Sequence, residues 1–244
     1  MPLPSSPEYR GRPDARLPQG AIYTPRKRPT KPRRYGLVIF DMDGTLTEER
    51  LDFPKIRGEM GVPDGTGILE FLSKQSGEAL DRANEILQRH EDAAAETCTL
   101  YRGAHDVLAA LKSEGIKTAL LTRNSLRSTT RILARHSLTL DHIATREDRP
   151  HKPHRDSILN IVRHFGVLRE QTLMVGDYLY DLQAARRAWV RSVLIRHRDE
   201  PLPVFAPLAT YTARSLHEVL ELATGRTVGN FSHLPSEPRM IQEM

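Results

Sequence analysis

From Gly36 onward, short apolar runs alternate with longer stretches in which apolar residues recur every three or four positions. The runs Leu37–Phe40, Lys117–Leu121, His142–Ala144, Thr172–Val175 and Ser192–Ile195 show little polar alternation, the pattern of strands covered on both faces. Helical spacing fills Ala104–Ser113, Leu126–His136, Arg155–Phe165 and Asp181–Ala188. Ile158, Leu159, Val162 and Phe165 share one helical face, and Gly166 follows as a C-terminal stop, as Gly115 does after Leu111 and Lys112. A last helix, Leu216–Leu222, opens at Ser215 with Glu218 three residues on, the spacing of a capping box. This alternation predicts an α/β fold with a doubly wound parallel sheet.

Residues 51 to about 101 break the rhythm. Leu80, Ala83, Leu87 and Ala94 recur at helical spacing among charges, with no strand-like run, and Gly61, Pro63, Gly65 and Gly67 form a turn among them. The expected organisation is a basic tail over 1–34, a core over 35–225 interrupted by a small α-helical insertion at 48–102, and a C-terminal tail over 226–244. No internal repeat is visible.

Charge sharpens the first boundary. The chain of 244 residues has a net charge of +5, yet residues 1–34 alone hold nine Lys/Arg against two acids, which leaves the remainder slightly acidic. The same segment holds eight of the seventeen prolines and few apolar residues, so it is read as disordered. Three readings of its Pro25–Arg34 stretch stay open: a solvated linker, an organellar or nuclear address, or contact with nucleic acid or another polyanion. No apolar stretch approaches the roughly 18 residues that cross a bilayer, and no secretory apolar segment opens the chain. Cys98 is the only cysteine, which rules out an internal disulfide or a cysteine zinc site and suits a reducing interior. An intracellular, most simply cytoplasmic, protein is expected.

The densest chemistry follows the first apolar run. Val38-Ile39-Phe40 ends in Asp41-Met42-Asp43-Gly44-Thr45-Leu46-Thr47. Two carboxylates at the C-terminal end of a buried strand lie where α/β sheets hold ligands. They repel unless a cation, hydrogen bonds or a shared proton compensates them.

The string DMDGTLT resembles the first motif of the haloacid dehalogenase-like hydrolases, and three further motifs follow in that family's order. Thr122 ends the apolar run Leu120-Leu121, Lys152 stands before Pro153, and Gly176-Asp177-Tyr178-Leu179-Tyr180-Asp181 has the GDxxxD form. The resemblance covers roughly residues 36 to 222. It implies that Asp41 is a nucleophile forming an aspartyl-phosphate, and that Asp43 is the general acid and then base. It implies Mg2+ held by Asp41, the Asp43 backbone carbonyl and Asp177, a hard cation on oxygen ligands. Thr122 would donate to a phosphoryl oxygen, and Lys152 would stabilise both phosphoryl oxygens and nucleophile. Asp181 would orient Lys152 or a metal-bound water. The Met42 and Gly44 N–H groups would cradle the phosphate. Arg123 is placed to meet a second anionic group, and Asn124 either to contact substrate or to fix its loop. His151, His154 and the other histidines lack metal-ligand spacing, and Trp189 reads as a packing residue at a helix end. Tyr178 departs from the small polar residue that many relatives carry there.

Asp43 and Asp177 argue against the carbon–halogen-cleaving members, and the lack of membrane helices against the transport ATPases. The insertion lies where the family places its C1 cap. It is short, which favours hydrolysis over phosphomutase chemistry. The expectation is a Mg2+-dependent phosphatase of a small phosphorylated metabolite, of the phosphoglycolate-phosphatase-like branch with a short cap. The alternatives are a phosphomutase of the same superfamily, or a non-catalytic protein of this fold that docks through its basic tail.

Overall fold

A computed structural model describes residues 34–226. The Pro- and Arg-rich segment, Arg34 apart, and the C-terminal stretch beyond Arg226 lie outside the described residues, as do the expectations placed on them. Six strands form one wholly parallel sheet: β1 Leu37–Phe40, β2 Lys117–Leu121, β3 His142–Ala144, β4 Thr172–Gly176, β5 Arg191–Ile195 and β6 Tyr211–Ala213. Their order across the sheet is β3-β2-β1-β4-β5-β6.

The side-chain period of two sorts β1 between two cores. Leu37 and Ile39 join Ala119, Leu121 and Met174 against helices α6 (Arg155–Phe165) and α7 (Leu179–Ala188) through Ile158, Ile161 and Ala184. Val38 and Phe40 join Leu120, Leu173 and Val175 on the other face. There α4 (Ala104–Ser113), α5 (Leu126–Arg135) and α8 (Leu216–Thr224) contribute Leu111, Ile132 and Val219. All four β1 side chains are buried, each stabilising the fold by about 1.5–3 kcal/mol. Helices on both faces of a parallel sheet are the doubly wound arrangement expected from the alternation.

The insertion carries α1 (Phe53–Met60), α2 (Ile68–Leu72) and α3 (Gly77–Thr97) around a small core of its own, including Ile56, Val62, Leu69 and Leu87. Asp52 caps α1 by accepting the Lys55 N–H at 3.0 Å, and Gly61 ends it in the left-handed region at φ 68°. The outgoing and returning segments lie side by side: Thr47 bridges Leu100, and the Glu48 N–H donates to the Thr99 carbonyl at 2.9 Å.

Three details depart from expectation. Tyr211–Ala213 pairs with β5 as a sixth strand, although three residues supply no apolar run to betray it. The inward face of α3 is Ala83, Leu87, Glu91 and Ala95, so Ala95 and not Ala94 faces in. Trp189 does end a helix, but at φ 60° and 70% exposed it lies outside the core.

Candidate active site

The strand order reverses direction at β1, and open α/β sheets hold ligands in the crevice beyond the strand ends at such a point. The chain delivers Asp41 just past β1, Thr122 just past β2 and Asp177 just past β4. Their register is matched, since Phe40 pairs with both Leu120 and Val175, and the Asp41 N–H donates to the Val175 carbonyl at 2.9 Å. Lys152 arrives from the loop after β3, and Asp181 from the first turn of α7. A cavity of about 140 Å³ lies over these residues, between the sheet edge and the insertion.

At its floor Lys152 is 2% exposed and sits 2.7 Å from both Asp41 Oδ1 and Asp181 Oδ1. Burial works against the ammonium, but Asp181 and Asp41 outweigh it and hold Lys152 above its ordinary pKa. Burial raises the Asp181 carboxyl, Asp41 adds to the rise, and Lys152 restrains it. The second Asp181 oxygen accepts the Tyr178 N–H at 3.1 Å, so both of its oxygens already have protein donors.

Asp43 has a separate environment. Its Oδ2 accepts from Asn124 Nδ2 at 2.7 Å, and its Oδ1 from Thr47 Oγ1 at 3.4 Å. Desolvation at the cavity floor, followed by the charge of Asp41, pushes Asp43 up to about 7. A carboxyl in that range holds its proton for part of the population at neutral pH and can give or take one.

The carboxylates of Asp41, Asp177 and Asp181 come within 4.8 Å of one another. Gly44, at φ 78°, lies so close to Asp177 that a Cβ there would overlap its carboxylate. An all-oxygen, hard donor set drawn this tightly suits Mg2+. Asp43 brings no carboxylate to this group, so any part it takes in metal binding falls to its carbonyl.

Several expected contacts take another form. The Met42 N–H donates to Asp41 Oδ1 at 2.7 Å and the Gly44 N–H to the Thr47 carbonyl at 2.8 Å. In this arrangement the Asp41 carboxylate takes the first N–H and the turn after β1 takes the second. Asn124 is spent on Asp43, and its own N–H donates to Thr122 Oγ1 at 3.1 Å. Arg123 does meet an anion, but that anion is Glu70 of α2.

Sequence reasoning passed over Glu70 and the partners of Glu91 and Arg57. Arg146 Nη1 reaches Glu91 Oε1 at 2.6 Å, and Ser125 Oγ donates to Glu91 Oε2 at 2.6 Å. Arg57 donates to the carbonyls of Pro63 and Thr66. The available signal was Glu91 itself, a charge on the apolar stripe that runs through Ala83 and Leu87.

The family model of the haloacid dehalogenase-like hydrolases matches residues 55–195. An uncharacterized hydrolase of Saccharomyces cerevisiae is 30% identical over 198 residues, spanning 76% of this chain and 89% of that protein. A phosphoglycolate phosphatase of Nitrosococcus oceani is 27% identical over 180 residues, spanning 62% of this chain and 80% of its own length. Among solved structures, a hydrolase from Pseudomonas syringae superposes with a TM-score of 0.64 at 22% identity, covering 76% of this chain and 98% of that one. That last likeness speaks for the fold.

Proposed function

The chain belongs to the haloacid dehalogenase-like hydrolases and is an enzyme of their phosphatase type, and we propose that it hydrolyses a small phosphomonoester with Mg2+ through an aspartyl-phosphate on Asp41. The observation that carries this reading is the meeting of Asp41 with Lys152 at 2.7 Å, next to an Asp43 carboxyl held separately by Asn124 at 2.7 Å. Two neighbouring carboxyls whose surroundings drive their protonation apart divide naturally into nucleophile and acid.

Asp41 attacks phosphorus as the bond to the ester oxygen breaks, and the leaving alkoxide takes the Asp43 proton. Water then attacks the aspartyl-phosphate, ionised Asp43 accepts its proton, and the bond from phosphorus to the Asp41 oxygen breaks to release phosphate. Asn124 keeps Asp43 aimed through both steps. The hydroxyl of Thr122 accepts the Asn124 N–H, which leaves its own hydrogen to donate to a phosphoryl oxygen. Lys152 holds Asp41 and presents positive charge where phosphoryl oxygens gather, and Asp181 keeps it in place. Asp41, the Asp43 carbonyl and Asp177 would hold Mg2+, whose charge lowers the repulsion between carboxylate and phosphate. The helical insertion acts as the cap over this centre.

Assaying p-nitrophenyl phosphate with Mg2+ tests the reading. Wild type should turn over only with the metal, and Asp41→Asn should fall to the blank rate. A wild type without metal-dependent turnover overturns it.

A further inference from the structure

A side-chain contact beside Thr122 ties the insertion to the core across the cavity. Glu70 on α2 accepts Arg123 Nη2 with both carboxylate oxygens, at 3.0 and 2.9 Å. Arg123 is fixed from two more sides: Nη1 donates to the Lys152 carbonyl, and the guanidinium lies over the Tyr180 ring at 4.4 Å from its centroid. A guanidinium one residue from Thr122 is the group that a second anion on a substrate would seek, since its fork matches carboxylate or phosphate. Here the protein's own carboxylate fills that place.

The other cations lining the cavity are engaged too. Arg146 holds Glu91, Arg57 serves backbone carbonyls, and Lys152 lies between Asp41 and Asp181. Beside Glu49, the insertion also contributes Phe53, Ile68, Leu69 and Leu87 to the lining. The space left for the alcohol part of the ester therefore combines satisfied cations with an apolar wall.

We infer that Glu70 is a built-in anion that occupies Arg123 and thereby sets the substrate class: phosphomonoesters whose leaving group is uncharged and largely apolar, in preference to those bearing a second anionic group. This rests on the phosphatase reading above. For a second anion to gain Arg123, the guanidinium must leave Glu70. It would then strand a half-exposed carboxylate beside the incoming charge, and like charges at that range oppose binding.

Calorimetric titration of the full chain with Mg2+ tests this without turnover, using benzylphosphonate and phosphonoacetate as non-hydrolysable probes. Wild type should bind benzylphosphonate the tighter. Glu70→Gln, which keeps the shape and removes the charge, should improve phosphonoacetate relative to benzylphosphonate by about tenfold, the value of one charge-assisted hydrogen bond. Glu70→Gln combined with Arg123→Gln should lose that gain. An affinity ratio unmoved by Glu70→Gln overturns the inference, as does wild type binding neither probe. Phenyl phosphate and phosphoglycolate, assayed in parallel, separate the two readings. Turnover that depends on Asp41 with a ratio insensitive to Glu70 sinks the charge filter alone. A ratio that depends on Glu70 without turnover of either ester sinks the phosphatase reading alone.

Discussion

Replacing Glu91 by alanine removes the partner of two groups at once. Arg146 loses its acceptor at 2.6 Å, and Ser125 loses the acceptor of its hydroxyl, also at 2.6 Å. Glu91 is 2% exposed and Arg146 15%, so water can reach the stranded guanidinium only in part. Breaking a buried ion pair costs about 3–5 kcal/mol, and partial access for water puts this one near the lower end, about 3 kcal/mol. For a chain of this size that lowers the melting temperature by about 6–12 °C. Glu91→Gln should behave differently. Burial holds the Glu91 carboxyl above its ordinary pKa despite Arg146, so ionisation at this site is already unfavourable relative to the unfolded chain. A neutral side chain that keeps one acceptor should therefore cost only about 1 kcal/mol. The sign extends to pH. With its folded pKa above the unfolded one, Glu91 contributes most below the ordinary glutamate range, and wild type loses that contribution as pH rises from there through the raised folded value. Glu91→Gln should lack this decline. Urea unfolding of wild type, both single variants, Arg146→Ala and the Glu91→Ala/Arg146→Ala double at several pH values measures all of this. Alanine within about 0.5 kcal/mol of wild type, or a double variant costing the full sum of the two alanine singles, would refute the reasoning.

Lys152→Met keeps the length of the side chain but removes its charge, and should lower kcat by about 10²–10³, the cost of losing one preorganised donor. Thr122→Val should give a loss of the same order in kcat for p-nitrophenyl phosphate, with a much smaller change in melting temperature. Gly44→Ala requires a side chain at φ 78° and against Asp177; beyond a backbone cost of about 1–2 kcal/mol, it should raise the Mg2+ concentration needed for half-maximal rate. Chelation by EDTA should abolish turnover and added Mg2+ restore it, with the unfolding midpoint slightly lower after chelation because the ion binds the folded chain.

Much of this arrangement is legible along the chain because its cause is local. Uninterrupted apolar runs mark strands that are covered on both faces, and the crevice lies past the ends of the central ones. The ordered motifs of the resembled family then single out Asp41, Thr122 and Asp177 at three of these ends, and the fold brings them together. Glu70 could not be found that way. On α2 it looks like any solvated acid, and its meaning comes from Arg123 in a segment that only the folded sheet brings near. Arg123 shows the same limit from the other side: its placement for an anion was readable, but not that the anion belongs to the protein. The Met42 and Gly44 N–H groups have partners that local sequence does not announce, the Asp41 carboxylate for the first and the Thr47 carbonyl for the second. Asn124 was left between two roles because an amide beside a catalytic loop serves either equally well. Its 2.7 Å bond to Asp43 is a property of tertiary packing.

The strand order carries a consequence for the birth of the molecule. β1 is made before the other strands, yet it ends as a middle strand whose second neighbour is β4. Some 130 residues must be synthesised before β4 follows, which at ordinary elongation rates is about 7–26 s. During that interval Leu37–Phe40 can be covered on one edge by β2, while the other edge offers unpaired backbone and apolar side chains to any partner. Asp41 meets Asp177 only when that edge is closed. The pairing that assembles the chemistry is therefore the same one that seals the open edge of β1.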